Sequence, residues 1–173
     1  RVEYTPLTEE EFTHDEGLSH LHSSSGEALC VKRFLQAIRQ NWSWAEKNLF
    51  EAYDCWDVVV NSDNLAGIFV AQGTWVLHSE PTLSLTLVQE YECVRALSVP
   101  LPQQELAWSQ RTPRLEFHAR WTPSEHGSRN SLRTQFGRGN NRADRLAKSA
   151  HALKRGEVQI TFGEIQIKEE EEK

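Results

Sequence analysis

The sequence has few cysteines and no long apolar run. Its three cysteines, Cys30, Cys55 and Cys93, are odd in number, widely spaced and form no C-x-x-C pair, which argues against a disulfide framework or a zinc ribbon. We expect free, buried thiols in a reducing compartment. No stretch approaches the roughly 20 apolar residues that cross a bilayer. We therefore expect no membrane partner and an intracellular location, in the cytoplasm or the nucleus.

A glycine-rich phosphate loop is also missing, because Phe136-Gly-Arg-Gly has neither the required spacing nor a preceding strand. No cofactor fingerprint is complete, and we expect no cofactor. The aromatic content, six Trp, seven Phe and three Tyr in 173 residues, favours one folded core over disorder. We predict a single domain over 1–173, with an acidic N-terminal segment (1–23), a flexible loop rich in Arg, Gly, Ser and Asn (124–141) and an acidic tail (169–173).

Charge is divided unevenly along the chain. The segment from Arg111 to Arg155 holds eleven Lys or Arg and three acids, a net +8, while the whole chain carries -6, so the remainder carries -14. Such asymmetry indicates either an anionic partner for the basic segment or neutralisation of that segment by acidic parts of the same fold.

The first half of the chain begins with helical patterns. Ser24 and Glu27 have the spacing of a capping box, and the apolar residues that follow suit one face of a helix over 26–40. Ser43 and Glu46 have the same capping-box spacing at the start of a second helix. We predict that the two helices form a pair.

Short β-branched and aromatic runs follow at 56–60, 65–71, 74–79 and 83–99, and turn residues such as 61–64 separate them. The first three runs predict a meander of antiparallel strands. In the fourth, leucines alternate with Ser and Thr, which predicts a long strand or a bent pair.

The clearest strand covers 114–121, with four residues on a core face and four charged residues on the other. The core-face residues are Leu115, Phe117, Ala119 and Trp121. A helix over 142–154 and a strand or hairpin within 158–168 complete the chain. The predicted fold class is α+β, with an N-terminal helical pair packed on a mainly antiparallel sheet, a late helix and a C-terminal strand.

Basic residues of the last third form the first candidate site. Arginines on the strand, the loop and the late helix, with Phe136 as an aromatic platform, fit contacts to RNA or DNA. The predicted nucleic-acid-binding residues are Arg114, Arg120, Arg129, Arg133, Phe136, Arg138, Arg142, Arg145 and Lys148. The alternative is a basic surface for an acidic protein. The expected role is non-catalytic binding.

A thiol hydrolase is the enzymatic alternative. Cys30 stands near the start of a helix, where a thiol pKa falls, and His78 or His118 on later strands would act as the base. The catalytic set would then be Cys30 with one of these histidines. An inert thiol in the core is the simpler explanation of Cys30, because most cysteines of this kind are buried.

Two further patterns carry weaker hypotheses. His14, Asp15, His20 and His22 are close in sequence but match no standard metal-ligand spacing, so we predict no metal site. The six tryptophans either fill the core or include anchors for a protein partner. The latter would make the chain a subunit of a larger assembly.

Overall fold

The computed structural model describes residues 2–4, 23–51, 53–122, 135–149 and 159–161. Five helices and four strands lie in these ranges, and two 3-10 turns at Leu101–Gln103 and Trp108–Gln110 follow the fourth helix. In chain order the elements are β1 (Val2–Tyr4), α1 (Ser23–Gln40), α2 (Trp42–Phe50), β2 (Trp56–Ser62), α3 (Ala66–Ala71), α4 (Pro81–Leu97), β3 (Leu115–Trp121), α5 (Gln135–Ser149) and β4 (Gln159–Thr161).

A parallel strand pair lies at the centre of the fold. β2 and β3 run side by side in the same direction, with Trp56 opposite Leu115 at one end and Ser62 opposite Trp121 at the other. A tight hairpin cannot connect parallel strands, so the chain between them must cross over, and α3 and α4 lie in that connection. The other pair, β1 with β4, is antiparallel and three residues long in each strand.

The prediction of a mainly antiparallel sheet is therefore wrong. The runs at 65–71 and 83–99 were expected to be strands, but they form most of α3 and α4, and 74–79 contains no strand. Once these segments are helical, 56–62 and 115–121 become neighbours, and a helical crossover joins them in the parallel direction.

Helix α4 shows why the alternating leucines misled the prediction. Leu83 and Leu87 are fully buried, but Leu85 between them is 60% exposed. Burial continues at Tyr91 and Val94, so the apolar positions recur every three or four residues, the period of a helix. Pro81 at the first helical position suits this start, because its missing N–H has no partner to lose there.

The core lies between the helices and one face of β2 and β3. Buried side chains of α1, α3 and α4 form one cluster with Leu115 and Phe117 of β3, and Val58 and Val60 of β2 pack against it. The rings of Tyr91 and Phe117 lie 5.4 Å apart, and Arg39 bonds to Glu90 across α1 and α4 at 2.9 Å.

Several predicted elements are confirmed. The helix at 26–40 forms within α1, the second helix of the pair forms as α2, and the strand at 114–121 forms as β3. The late helix begins at Gln135, seven residues before its predicted start, so 135–141 of the expected loop is helical. β4 lies within the predicted terminal strand. Among the helices of the described ranges, none has both the length and the apolar character needed to cross a membrane.

Helices α1 and α3 approach each other closely at Gly67. A methyl group on Gly67 would lie 2.9 Å from Val31 Cγ2 and 3.1 Å from the backbone Cα of Ala28. Both distances are shorter than ordinary van der Waals contacts, so a glycine at this position lets the two backbones meet.

We predict opposite effects for alanine at two helical glycines. Gly67→Ala should lower the free energy of unfolding, because overpacking costs about 1–3 kcal/mol and exceeds the helix-propensity gain of up to about 1 kcal/mol. Gly139→Ala in α5 has open space around the new methyl group and should be neutral or stabilising. Urea unfolding of both variants measures this, and a Gly67→Ala protein as stable as wild type would contradict the close approach.

Candidate nucleic-acid interface

The chain leaves β2 and β3 at the same edge of the sheet. Ser62 and Trp121 are the last residues of the two strands and pair with each other, and Thr122 N–H donates to the Ser62 carbonyl at 2.9 Å. We call this end of the strand pair, with the residues that immediately surround it, the carboxyl edge. In open α/β sheets ligands bind at such an edge, because loops rather than side-chain packing occupy the space beyond the strands.

A tight turn leads from β2 into α3. Asn64 N–H donates to Ser62 Oγ at 3.1 Å, and Asn64 Oδ1 accepts from the Ala66 N–H at 3.0 Å. These local bonds redirect the backbone within four residues. They hold Asp63 just past the end of the strand, where its carboxylate is exposed.

Glu27 of α1 lies beside this turn. Partial desolvation raises the pKa of the Glu27 carboxyl, the negative charge of Asp63 raises it further, and a side-chain hydrogen bond with Asn64 opposes both effects. The close approach of Gly67 to Ala28 and Val31 explains the position of Glu27, because it brings the first turns of α1 against the start of α3. The charges of two carboxylates from distant parts of the chain therefore interact at the carboxyl edge.

Helix α5 brings basic residues to the same strands. It packs against β2, and the guanidinium carbon of Arg120 on β3 lies 4.7 Å from the centre of the Phe136 ring. Arg138, Arg142 and Arg145 follow at spacings of four and three, which places them along one side of the helix. All three are exposed, and we call them the arginine row.

The inner side of α5 carries an unusual buried amide. Asn141 is 3% exposed, and neither its side-chain nitrogen nor its oxygen has a hydrogen-bond partner among the described residues. The same holds for Asn61 Oδ1 near the end of β2 and for Thr122 Oγ1 just after β3. Buried polar atoms normally have partners, so these four atoms are exceptions within the described part of the fold.

The structure thus brings together part of the predicted basic site. Arg120 and Phe136 are in contact, and the arginine row continues from them along α5. Lys148, at the end of the helix, bonds to Asp144 at 2.7 Å. Arg129 and Arg133 lie outside the described residues.

Arg114 is separated from this group. It precedes β3, whereas Arg120 is near its end, and six residues of strand span roughly 20 Å. Its guanidinium lies 4.1 Å from the Phe50 ring centre and donates to the carbonyls of Asp54 and Phe50 at 2.8 and 3.2 Å. In this arrangement Arg114 fastens the end of α2 to the sheet.

The structure shows no catalytic hydrogen bond for the thiol-hydrolase hypothesis. Among the described residues no hydrogen bond joins Cys30 to His78 or His118, and His118 instead bonds to Asp57 at 3.1 Å. Desolvation raises the pKa of the Cys30 thiol, Arg33 lowers it and Glu27 raises it, so the reactive thiolate is disfavoured. All three cysteines lie at exposed positions without disulfides, and the expectation that they are buried is wrong.

The predicted histidine cluster at 14–22 lies outside the described residues. Within the described ranges, no group of three or more His, Cys, Asp or Glu has an arrangement that would hold a metal ion. The closest approach to such a group on the carboxyl edge is the two-carboxylate pair of Glu27 and Asp63.

Sequence reasoning missed three residues of the carboxyl edge. Asp63 was interpreted as part of a turn and Glu27 as a capping residue, while Trp121 was assigned to the core although it is 63% exposed. The sequence did contain one signal, because Asp63 directly follows an apolar strand. That signal indicates a site only when the strand is known to be parallel to its neighbour.

Comparisons with protein-family models, with curated proteins and with solved structures found no match. The geometry of the carboxyl edge is therefore the basis for a functional assignment.

We predict that Glu27→Gln stabilises the fold in a pH-dependent way. A carboxyl whose pKa is raised in the folded state destabilises that state when ionised, so the penalty is absent below pH 4.5, the ordinary pKa of a glutamate carboxyl, and grows as pH rises above it. Glu27→Gln should therefore melt at a higher temperature than wild type at pH 7, and the difference should vanish at pH 4.

The matched control is Glu46→Gln, which removes one carboxylate from an exposed position on α2. A melting difference between Glu27→Gln and wild type that stays constant from pH 4 to pH 7 would argue against a raised pKa of the Glu27 carboxyl.

Proposed function

We propose that this protein binds nucleic acid across the carboxyl edge, with the arginine row contacting phosphates. The observation that carries the proposal is the contact between Arg120 and Phe136. This contact joins the first turn of α5 to the sheet near the end of β3, and the arginine row lies farther along the same helix.

Charge distribution supports this partner. Arginine neutralises phosphates and releases their counterions, and this contribution dominates non-specific affinity for nucleic acid. The net +8 of the segment from Arg111 to Arg155, against -14 for the remainder, would direct a polyanion to this side of the molecule. The acidic remainder would repel it elsewhere.

A reducing intracellular location belongs to the same proposal. Three cysteines without disulfides suit the cytoplasm or the nucleus, where nucleic acids are found. An acidic protein surface is the alternative partner for the arginine row, and an assembly through exposed tryptophans is the alternative role.

We expect Arg142→Glu/Arg145→Glu to weaken binding of a labelled single-stranded RNA or DNA by at least tenfold at moderate salt. Each lost phosphate contact also lowers the slope of log K against log salt by about 0.7 for single strands, so the slope should fall by about 1.4. Fluorescence-anisotropy titration at four salt concentrations measures both quantities.

The control Arg33→Glu/Lys47→Glu makes the same change in net charge on α1 and α2. It should leave the salt slope unchanged. Equal losses in the two double variants would show that net charge alone governs binding, and no binding by wild type at low salt would reject the proposal in favour of a protein partner.

A second candidate function is divalent-cation-dependent hydrolysis of the bound strand, and the charge interaction between Glu27 and Asp63 favours it. Mg²⁺ commonly binds through one or two carboxylates together with substrate phosphates, so these two side chains would supply protein ligands and the phosphate would supply others. The cation would stabilise the charge that develops as water attacks phosphorus and the P–O ester bond breaks.

We therefore expect slow cleavage of RNA or DNA that requires Mg²⁺ and stops with EDTA. Asp63→Asn and Glu27→Gln should each reduce the rate at least 100-fold, because each removes a carboxylate ligand, while affinity measured without Mg²⁺ stays within threefold of wild type. Gel assays on single strands, duplexes and RNA–DNA hybrids provide the measurement.

Glu46→Gln is again the control and should cleave at the wild-type rate. If cleavage persists in Asp63→Asn, the activity comes from a contaminant. If no substrate is cleaved in a Mg²⁺-dependent way, hydrolysis is rejected and the protein only binds nucleic acid.

A further inference from the structure

Trp121 is a large apolar side chain that the fold leaves in solvent. It is the last residue of β3 and is 63% exposed, although the alternation of the strand places it on the same side as the buried residues Leu115 and Phe117. The helices that cover those residues do not cover the end of the strand.

The backbone that carries Trp121 is held firmly. The residue pairs with Ser62 in the parallel ladder, and the next residue, Thr122, donates its N–H to the Ser62 carbonyl at 2.9 Å and is itself buried. An exposed ring on a fixed backbone loses little conformational entropy on contact with a ligand.

Its surroundings indicate the kind of ligand. Partnered residues of a sheet point to the same face, so Trp121 lies beside Ser62, next to the turn that carries Asp63. The preceding residue, Arg120, points to the opposite face, where it contacts Phe136 of α5. Trp121 and α5 therefore lie on opposite faces of the sheet, and a strand of nucleic acid that contacts both would pass around the carboxyl edge.

We infer that Trp121 stacks on an unpaired nucleobase of the bound strand. The inference rests on the proposed nucleic-acid function and adds that the preferred ligand is single-stranded at this position, because a base inside a duplex is already stacked on its neighbours. Aromatic stacking of this kind tolerates any base, so it gives affinity for unpaired strands without sequence preference.

The test is anisotropy titration of a labelled 12-nucleotide single strand. Trp121→Ala should weaken binding by about 5- to 100-fold, the range for loss of one stacked base, and Trp121→Phe should stay within a few fold of wild type. Trp44→Ala removes a tryptophan of the same 63% exposure from α2 and should have no effect. Thermal melts of all three variants verify that they are folded.

A second titration uses an abasic strand with the same number of phosphates. Wild type and Trp121→Ala should bind it equally, because no base is left to stack. Trp121→Ala should also keep the wild-type salt slope, since no phosphate contact is removed.

The outcomes separate the two proposals. If wild type binds in a salt-dependent way that needs the arginine row, but Trp121→Ala behaves like Trp44→Ala, the stacking role is rejected and the nucleic-acid function stands. If Trp121→Ala lowers the affinity for the abasic strand as strongly as for the normal strand, stacking is also rejected. If wild type binds neither strand, both proposals fail.

Discussion

The parallel pairing of β2 with β3 is the constraint on which the central part of the fold depends. It requires a long crossover, which α3 and α4 provide, and these helices then cover one face of the strands and build the core with α1. It also brings both strand ends to one edge, where neither strand continues as a hairpin. Asp63, which directly follows β2, and Trp121, at the end of β3, lie at the same edge for this reason.

Local sequence patterns correctly predicted the elements whose apolar residues follow a single clear period. The helix at 26–40 and the strand at 114–121 both have an unbroken apolar face, and both are present. The prediction for 65–97 was wrong because the short apolar runs there fit both the period of a strand and the period of a helix. Burial against α1 selects the helical period. Pro81 and the four buried apolar residues of α4 carried the correct signal over a longer window. In the candidate site, the local excess of positive charge identified the arginines. Glu27, Asp63 and Trp121 could be assigned to the site only once the direction of the strands was known.

Both positive and negative side chains lie on the elements around the carboxyl edge. The arginine row lies on α5, while Glu27 and Asp63 lie at the turn after β2. The pKa of the Glu27 carboxyl is raised first by desolvation and then by the negative charge of Asp63. A phosphate approaching from the arginine side would meet this negative charge, and a divalent cation between them would convert repulsion into attraction.

The separation of the two strands in the sequence has a consequence for the order of folding. β2 and β3 are roughly 60 residues apart, so their pairing closes a long loop and must wait until its entropy cost is offset by other contacts. The helices between them can associate earlier through nearer neighbours. The carboxyl edge is then among the last parts of the molecule to form during synthesis, and a nascent chain that ends before residue 115 would have most of its helical core but no complete site.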